Sequence, residues 1–354
     1  MLILIYIEPK ELSNLFSMVQ HMVAKASASV FVGLDLCENE NLIEAFREIT
    51  TDVGLSFRMD NVWLDHFITL NKFRMCSLIR NRKSQIVEVL KPVIDKRMEG
   101  IATKDSSDTT WIRPNDILQD IIEKHPPQPN NKTDKYTYFA HWMIVLVFVS
   151  VFTTTEHATI VLYRILQHPE IMDELIKEQK EIYGNDIILN KNNKSEDIFT
   201  ADSVKKLIKL DSLCREALRT KNEYFQLPHT NISKQNITLS NGVIIPPDHD
   251  VLVNFWANHR DKELQKDTIG NHDKFEPFRY VGMGRPSTKI GDDFLVFGEG
   301  KHACPGRWFA LQEIKTVVSL LIRDYTLKPN GPIEFPTNVN TGIPSGKVII
   351  QRKM

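Results

Sequence analysis

The chain has 354 residues, enough for one large domain or two ordinary ones. Its 42% hydrophobic and 25% charged residues describe a globular protein with ample core, and a net charge of −1 argues against nucleic acid as a main partner. Four cysteines (Cys37, Cys76, Cys214 and Cys304) show no Cys-x-x-Cys pairing and no zinc spacing, which fits free thiols in a reducing compartment.

Taken in order, the first apolar run, Met1 to Ile7, stops at Glu8, far short of the ~20 residues that cross a bilayer. Leu12, Phe16, Val19 and Val23 recur at helical spacing, and Glu38 to Val53 continues as helix with charge on one face. Asp60 to Thr69 reads as a loop with a short helix, Lys72 to Arg97 as helix, and Glu99 to Asp108 as loop. Arg113-Pro-Asn-Asp116 opens a helix over Ile117 to Glu123. Pro126, Pro127 and Pro129 mark the following stretch as a linker. Tyr136 to Gly184 reads as long helix broken near His168-Pro169, because proline disfavours helix in the residue before it. Its apolar core, Trp142 to Phe152, ends at Thr153-Thr-Thr-Glu-His157 before membrane-spanning length, which predicts a helix buried in protein. A polar loop over 185–197 and a helix over Ala201 to Thr220 follow. From Leu227 the character changes. Ile237-Thr-Leu, Asn241-Gly242 and Val243-Ile-Ile predict a hairpin with a type I′ turn. Val251 to Phe255 and Val348 to Gln351 read as strands. The fold class is mainly α with a small β subdomain, and no boundary divides the single domain expected over 1–354, whose residues 1–8 are poorly assigned.

Chemistry concentrates in Phe297-Gly-Glu-Gly-Lys-His-Ala-Cys304-Pro-Gly306-Arg-Trp, with a helix-like run from Trp308 to Ile322 behind it. A thiolate forms most readily beside a metal or at the positive end of a helix, and both conditions suit Cys304. Gly298, Gly300 and Gly306 permit positive φ and close approach of backbone to a flat, bulky group. Lys301 and His302 supply cationic donors for carboxylates beside it. Against this stands the plainer reading of a free cysteine as a small core residue. Upstream, Glu216 and Arg219 lie three apart on one helix face, where they meet. Phe275-Glu-Pro277-Phe-Arg279 precedes the cysteine by 25 residues.

The order Glu-x-x-Arg, Pro-x-Arg, Phe-x-x-Gly-x-x-x-Cys-x-Gly resembles the cytochrome P-450 monooxygenases. The resemblance implies that Cys304 is the proximal iron ligand of haem b, with Phe297, Gly300, His302 and Gly306 forming the cofactor loop. It implies that Glu216, Arg219 and Arg279 form a buried structural triad holding that loop. On the distal side, counting back from His168-Pro169 puts the family threonine at Thr153, with Phe152 where an acid is usual and Ser150 where a small glycine-like residue is usual. Glu156 and His157 are nearby substitutes for proton delivery. His302 stands where the family commonly has an arginine facing a haem propionate.

The activity so implied is insertion of one oxygen atom from O₂ into a small lipophilic substrate, with electrons from NADPH through a reductase. Val30-Phe-Val-Gly33 and the cysteine loop look most like fungal members acting on terpenoid- or steroid-like compounds. The family usually sits at the cytosolic face of the endoplasmic reticulum. Its N-terminal anchor, first sheet and early helices are not recognisable here, which reads as an N-terminally truncated fold. A second reading follows: a non-catalytic haem-binding remnant with a structural or partner-binding role.

Overall fold

The computed structural model of the chain describes residues 7–57, 65–103, 111–184, 198–221, 225–268, 270–336 and 343–353, with the side chains at 52–79 and 225–226 outside the description. It divides into two units, one holding Met1–Ile5 and Leu15–Ala158, the other Tyr6–Asn14 and Thr159–Met354. The loop expected over 185–197 and the stretch 60–64 lie outside the described residues.

The first unit is helical: α1 (Phe16–Phe31), α2 (Glu40–Phe57), α3 (Asp65–Thr103), α4 (Ile117–Lys124) and the larger part of α5 (Lys135–Gln167). Val19, Met22 and Val23 of α1, Leu42, Phe46 and Ile49 of α2, and Ile86, Leu90 and Ile94 of α3 are all but fully buried. The helical stripe predicted to begin at Leu12 begins later, because Leu12 belongs to a strand of the other unit. Helix α3 starts at Asp65 and runs past Glu99 to Thr103, so the short helix expected within 60–69 is the start of a long one, and 99–103, expected as loop, is helix. Asp116 caps α4 as the sequence suggests, accepting the Gln119 amide at 2.9 Å.

The same carboxylate meets Arg97 in a buried bidentate pair, 2.5 Å and 2.7 Å, while Arg97 also donates to Val32 O at 3.0 Å. Gly33 lies against it. A Cβ at Gly33 would stand 2.7 Å from Asp116 Oδ2, on a backbone with φ of +95°. Arg97 and Asp116 therefore tie α3, the end of α1 and the start of α4 at one point.

The second unit mixes α and β. Strand β1 (Lys10–Leu12) pairs antiparallel with β7 (Val348–Arg352), and β7 pairs with β6 (Tyr325–Pro329). Two further ribbons are β2 (Phe225–Thr230) with β5 (Asp250–Asn254), and β3 (Ile237–Thr238) with β4 (Ile244–Ile245). The β3–β4 hairpin is where the sequence predicts it, but its turn differs. Gly242 has φ of +85° while Asn241 is not left-handed, and Leu239 and Val243 close a three-residue loop. Asn241 instead accepts the Val243 amide through its side chain at 3.1 Å, a local bond that favours the right-handed turn.

Helix α5 ends at Gln167 and α6 (Pro169–Tyr183) begins at the predicted proline. The helix expected over 201–220 is two: α7 (Ala201–Val204) and α8 (Ile208–Arg219). No side chain of its own caps α8. Glu178 of α6 does so, accepting the amides of Lys209 at 2.5 Å and Leu210 at 3.1 Å. Short α9 (Phe255–Asn258) and the 18-residue α10 (Arg307–Asp324) complete the unit. Among the described residues one helix, α5, is long and apolar enough to cross a membrane by length and composition, and half of its most apolar window is buried.

Candidate functional site

From Ser212 to Arg219 every residue of α8 is buried, although three of the eight are charged. Such a helix requires each charge to be matched inside the protein. Glu216 is fully buried and grips Arg219 with both oxygens, at 2.8 Å each. Its Oε1 also accepts from Arg279 Nε at 3.2 Å and from the Glu276 amide at 2.9 Å. Arg219 donates further to the carbonyls of His259 (2.6 Å) and His272 (2.7 Å), and Arg279 to that of Asn271 (2.9 Å). Burial pulls the Arg219 pKa down, yet the hydrogen bonds and charge of Glu216 leave it raised overall. Glu216, Arg219 and Arg279 thus meet in one buried cluster that reaches the 259–279 loops.

The cysteine loop closes on itself. The Cys304 amide donates to Phe297 O at 2.7 Å, and the Gly298 amide to Leu295 O at 2.8 Å. Gly298 and Gly300 have φ of +69° and +61°, as their place in the loop predicts. Gly306 does not. Its φ is −83°, and it serves as the residue before α10. Pro305 accordingly precedes the helix and does not enter its first turn. Phe297 is buried, with its ring edge-on to Phe294 at 6.2 Å.

Cys304 is half-buried, and among the described residues its Sγ makes no hydrogen bond. It stands three residues before Arg307, the first residue of α10, whose unpaired amides favour negative charge nearby. Lys301 and His302 sit on a 3₁₀ turn (Gly300–His302) and are exposed. The other described thiols differ. Cys37 Sγ donates to Leu34 O at 3.2 Å, and Cys214 is fully buried, with its pKa pushed up by desolvation. A soft ligand near a helix N-terminus, with the exposed side chains of Lys301 and His302 as donors on the preceding turn, suits a metal carried by a group with carboxylate arms.

Thr153 belongs to the first unit. It is exposed on α5, and its Oγ1 donates to Val149 O at 2.8 Å. Thr155 does the same to Val151 O at 2.6 Å, and α5 runs unbroken through them. Phe152 is half-buried edge-on to Phe16 at 5.8 Å, and Glu156 is buried.

The family model described as Cytochrome P450 matches residues 6–351. The chain belongs to the cytochrome P450 family. It is 26% identical to cytochrome P450 monooxygenase AN1598 of Emericella nidulans over 96% of this chain and 62% of the relative. It is also 26% identical to cytochrome P450 monooxygenase CYP512U6 of Ganoderma lucidum, over 77% of this chain and 52% of the relative. The chain thus spans less than two thirds of the length of these curated relatives. The crystal structure of the cytochrome P450DA heme domain aligns with a TM-score of 0.68 over 98% of this chain and 69% of that one, at 15% identity, a likeness of fold.

Two side chains of this P450 escape sequence reasoning. Arg215, 1% exposed, donates to Pro286 O (3.1 Å) and Lys289 O (2.6 Å), pairs with Asp293 at 2.9 Å and lies 4.1 Å from the centre of the Phe294 ring. His259 is buried, and its Nε2 accepts the Leu295 amide at 2.9 Å. Burial, with the charges of Arg219, Arg260 and Arg215, pushes its pKa down to about 3.

That depression has a sign for stability. An unfolded histidine takes up its proton near 6.5, whereas the folded one waits until about 3. Across that interval the unfolded chain binds more protons, so stability is full above pH 6.5 and declines as pH falls toward 3. Urea midpoints of the chain between pH 7 and pH 4 are expected to fall with acid, and the slope attributable to His259 disappears in His259→Gln.

Proposed function

We propose that the chain holds haem b through the sulfur of Cys304 and belongs to a P450 monooxygenase. This enzyme inserts one oxygen atom from O₂ into a small lipophilic substrate, terpenoid- or steroid-like, using electrons from NADPH through a reductase. The carrying observation is Cys304 itself: a half-buried thiol with no described hydrogen bond at sulfur, at a helix N-terminus, in a loop closed by its own backbone. Bound there, the haem supplies activation of O₂, and an electron-rich thiolate favours cleavage of the O–O bond.

The protein's own residues do the rest. Gly298 and Gly300 leave two positions of the loop without side chains, Phe297 packs against Phe294, and His302 and Lys301 offer donors to the propionates. We assign Glu216, Arg219 and Arg279 to holding the loop, without contact to substrate. Thr153 is assigned the distal hydroxyl. Its proton is engaged by Val149 O, so its oxygen accepts from water, and donating elsewhere requires the hydroxyl proton to turn about the Cβ–Oγ1 bond, away from Val149 O. The family match over 6–351 supports reading 1–354 as one P450-like domain, and placement at the cytosolic face of the endoplasmic reticulum follows the same family reading.

Phe152 favours a second reading, in which haem is bound but turnover is lost, since no carboxyl precedes Thr153. One experiment separates them. The chain is loaded with haem, reduced and exposed to carbon monoxide, then given NADPH and a fungal P450 reductase. A strongly red-shifted band with substrate-dependent NADPH consumption supports the first reading, and the band without consumption supports the second. No red-shifted band sinks both.

A further inference from the structure

We infer that His259 is a positioning residue for the cysteine loop: its unprotonated Nε2 accepts the Leu295 amide and thereby carries the rigidity of the buried triad to the segment that presents Cys304. The links are all short. Arg219, locked by Glu216, donates to the His259 carbonyl at 2.6 Å. The His259 ring receives the Leu295 N–H at 2.9 Å. The Leu295 carbonyl receives the Gly298 amide at 2.8 Å, and the Phe297 carbonyl receives the Cys304 amide at 2.7 Å.

Chemistry fixes the state of the ring. A backbone amide always brings a proton, so the nitrogen that accepts it carries none. His259 is therefore neutral, with its proton on Nδ1. The surroundings enforce this. The ring is 2% exposed, packs against Phe255 at 5.5 Å and stacks on Phe294 at 5.9 Å. Arg215 lies over Phe294, and Arg219 and Arg260 add further positive charge around the site. A second proton on the imidazole would be buried among cations and would leave the Leu295 amide without an acceptor. A buried amide without a partner is unfavourable, so the loop would shift to reach one.

The consequence for haem ligation rests on the reading of Cys304 given above, whereas the hydrogen bond itself does not, and the test separates the two. The first measurement needs no substitution. In the full chain labelled with ¹⁵N at histidine and leucine, His259 Nε2 is expected at the shift of an unprotonated acceptor, with a coupling to the Leu295 amide nitrogen. A proton found on Nε2 overturns the inference.

The second compares His259→Phe, which keeps an aromatic ring without an acceptor, with His259→Gln, which places an amide oxygen near the Nε2 position. In the haem-free chain, hydrogen exchange at Leu295 is expected to quicken about tenfold in the Phe variant and to stay within about threefold of wild type in the Gln variant. On haem loading, the thiolate-type carbon monoxide band is expected to be diminished in the Phe variant and retained in the Gln variant. A folded Phe variant with unchanged Leu295 exchange overturns the inference, as does a Gln variant that loses as much protection as Phe. Should the Phe variant fail to fold, the labelled wild type and the Gln variant decide. Altered exchange in a chain that takes up no haem supports the link and counts against the ligand reading alone.

Discussion

Cys304→Ala is expected to abolish the red-shifted carbon monoxide band completely while leaving the haem-free chain as stable as wild type within about 0.5 kcal/mol. The two halves follow from one observation. The Cys304 side chain is half-buried and, among the described residues, its sulfur makes no hydrogen bond, so truncating it opens no core cavity and strands no polar partner. What disappears is a soft ligand beside the N-terminus of α10, which no neighbouring side chain replaces: Lys301 is a cation, and His302 is an imidazole on an exposed turn. The other described cysteines predict the opposite signature. Cys214→Ala removes a fully buried sulfur from α8 and costs about 1 kcal/mol or more, yet leaves the band in place. Cys37→Ala loses a bond to Leu34 O, also without spectral effect. Absorption spectra and urea unfolding on the three variants check this. A band that survives in Cys304→Ala removes the functional reading.

How much of this was written in the chain depends on how local each interaction is. The cysteine loop is legible because its demands are local: two left-handed glycines, one thiol and a helix start within ten residues. Asp116 and the break at His168-Pro169 are legible for the same reason, since capping and proline sterics act over three or four residues. The triad is half local. Glu216 and Arg219 share a helix turn, but Arg279 comes from 60 residues on, and only the family order points to it.

Failure sets in where a residue's partner is remote and its own pattern is ordinary. Strand β1 is Lys-Glu-Leu, three residues with no alternation to announce a sheet, and its partner lies more than 330 residues away. Lys205-Lys206-Leu207 carries no breaker, yet α8 restarts there because Glu178 of another helix supplies its cap. Arg215 stands on a helix whose charges suggest a wet face. Nothing local says that Asp293 and the carbonyls of Pro286 and Lys289 will enclose it. For His259 the signal is slightly better: an Asn-His-Arg-Asp run after a strand marks a turn, although not the direction of the ring.

Glu216→Gln is the converse of the cysteine experiment: it removes no atom that touches haem and is expected to cost about 3–5 kcal/mol of stability. Glu216 is the sole carboxylate with both oxygens inside the described triad, and two guanidiniums, Arg219 and Arg279, face it from less than 3.5 Å. An amide of the same shape keeps one acceptor oxygen but turns the other into a donor. That donor points at an arginine, and the positive charges lose their counterion where no water reaches. Arg279 retains Glu276 at 3.4 Å, whereas Arg219 is left with carbonyls alone. Against a total stability of roughly 5–15 kcal/mol, a loss of that size leaves a chain that accumulates poorly and unfolds at low urea. Because the cost is mostly stranded charge, replacing Glu216, Arg219 and Arg279 together by methionine is expected to recover part of it, less whatever the loop carbonyls lose with Arg219. Urea midpoints of the haem-free single and triple variants measure both. A drop below about 1 kcal/mol for Glu216→Gln means that the cluster is not what holds the 259–279 loops, and with it goes the mechanical route from the triad through His259 to Cys304.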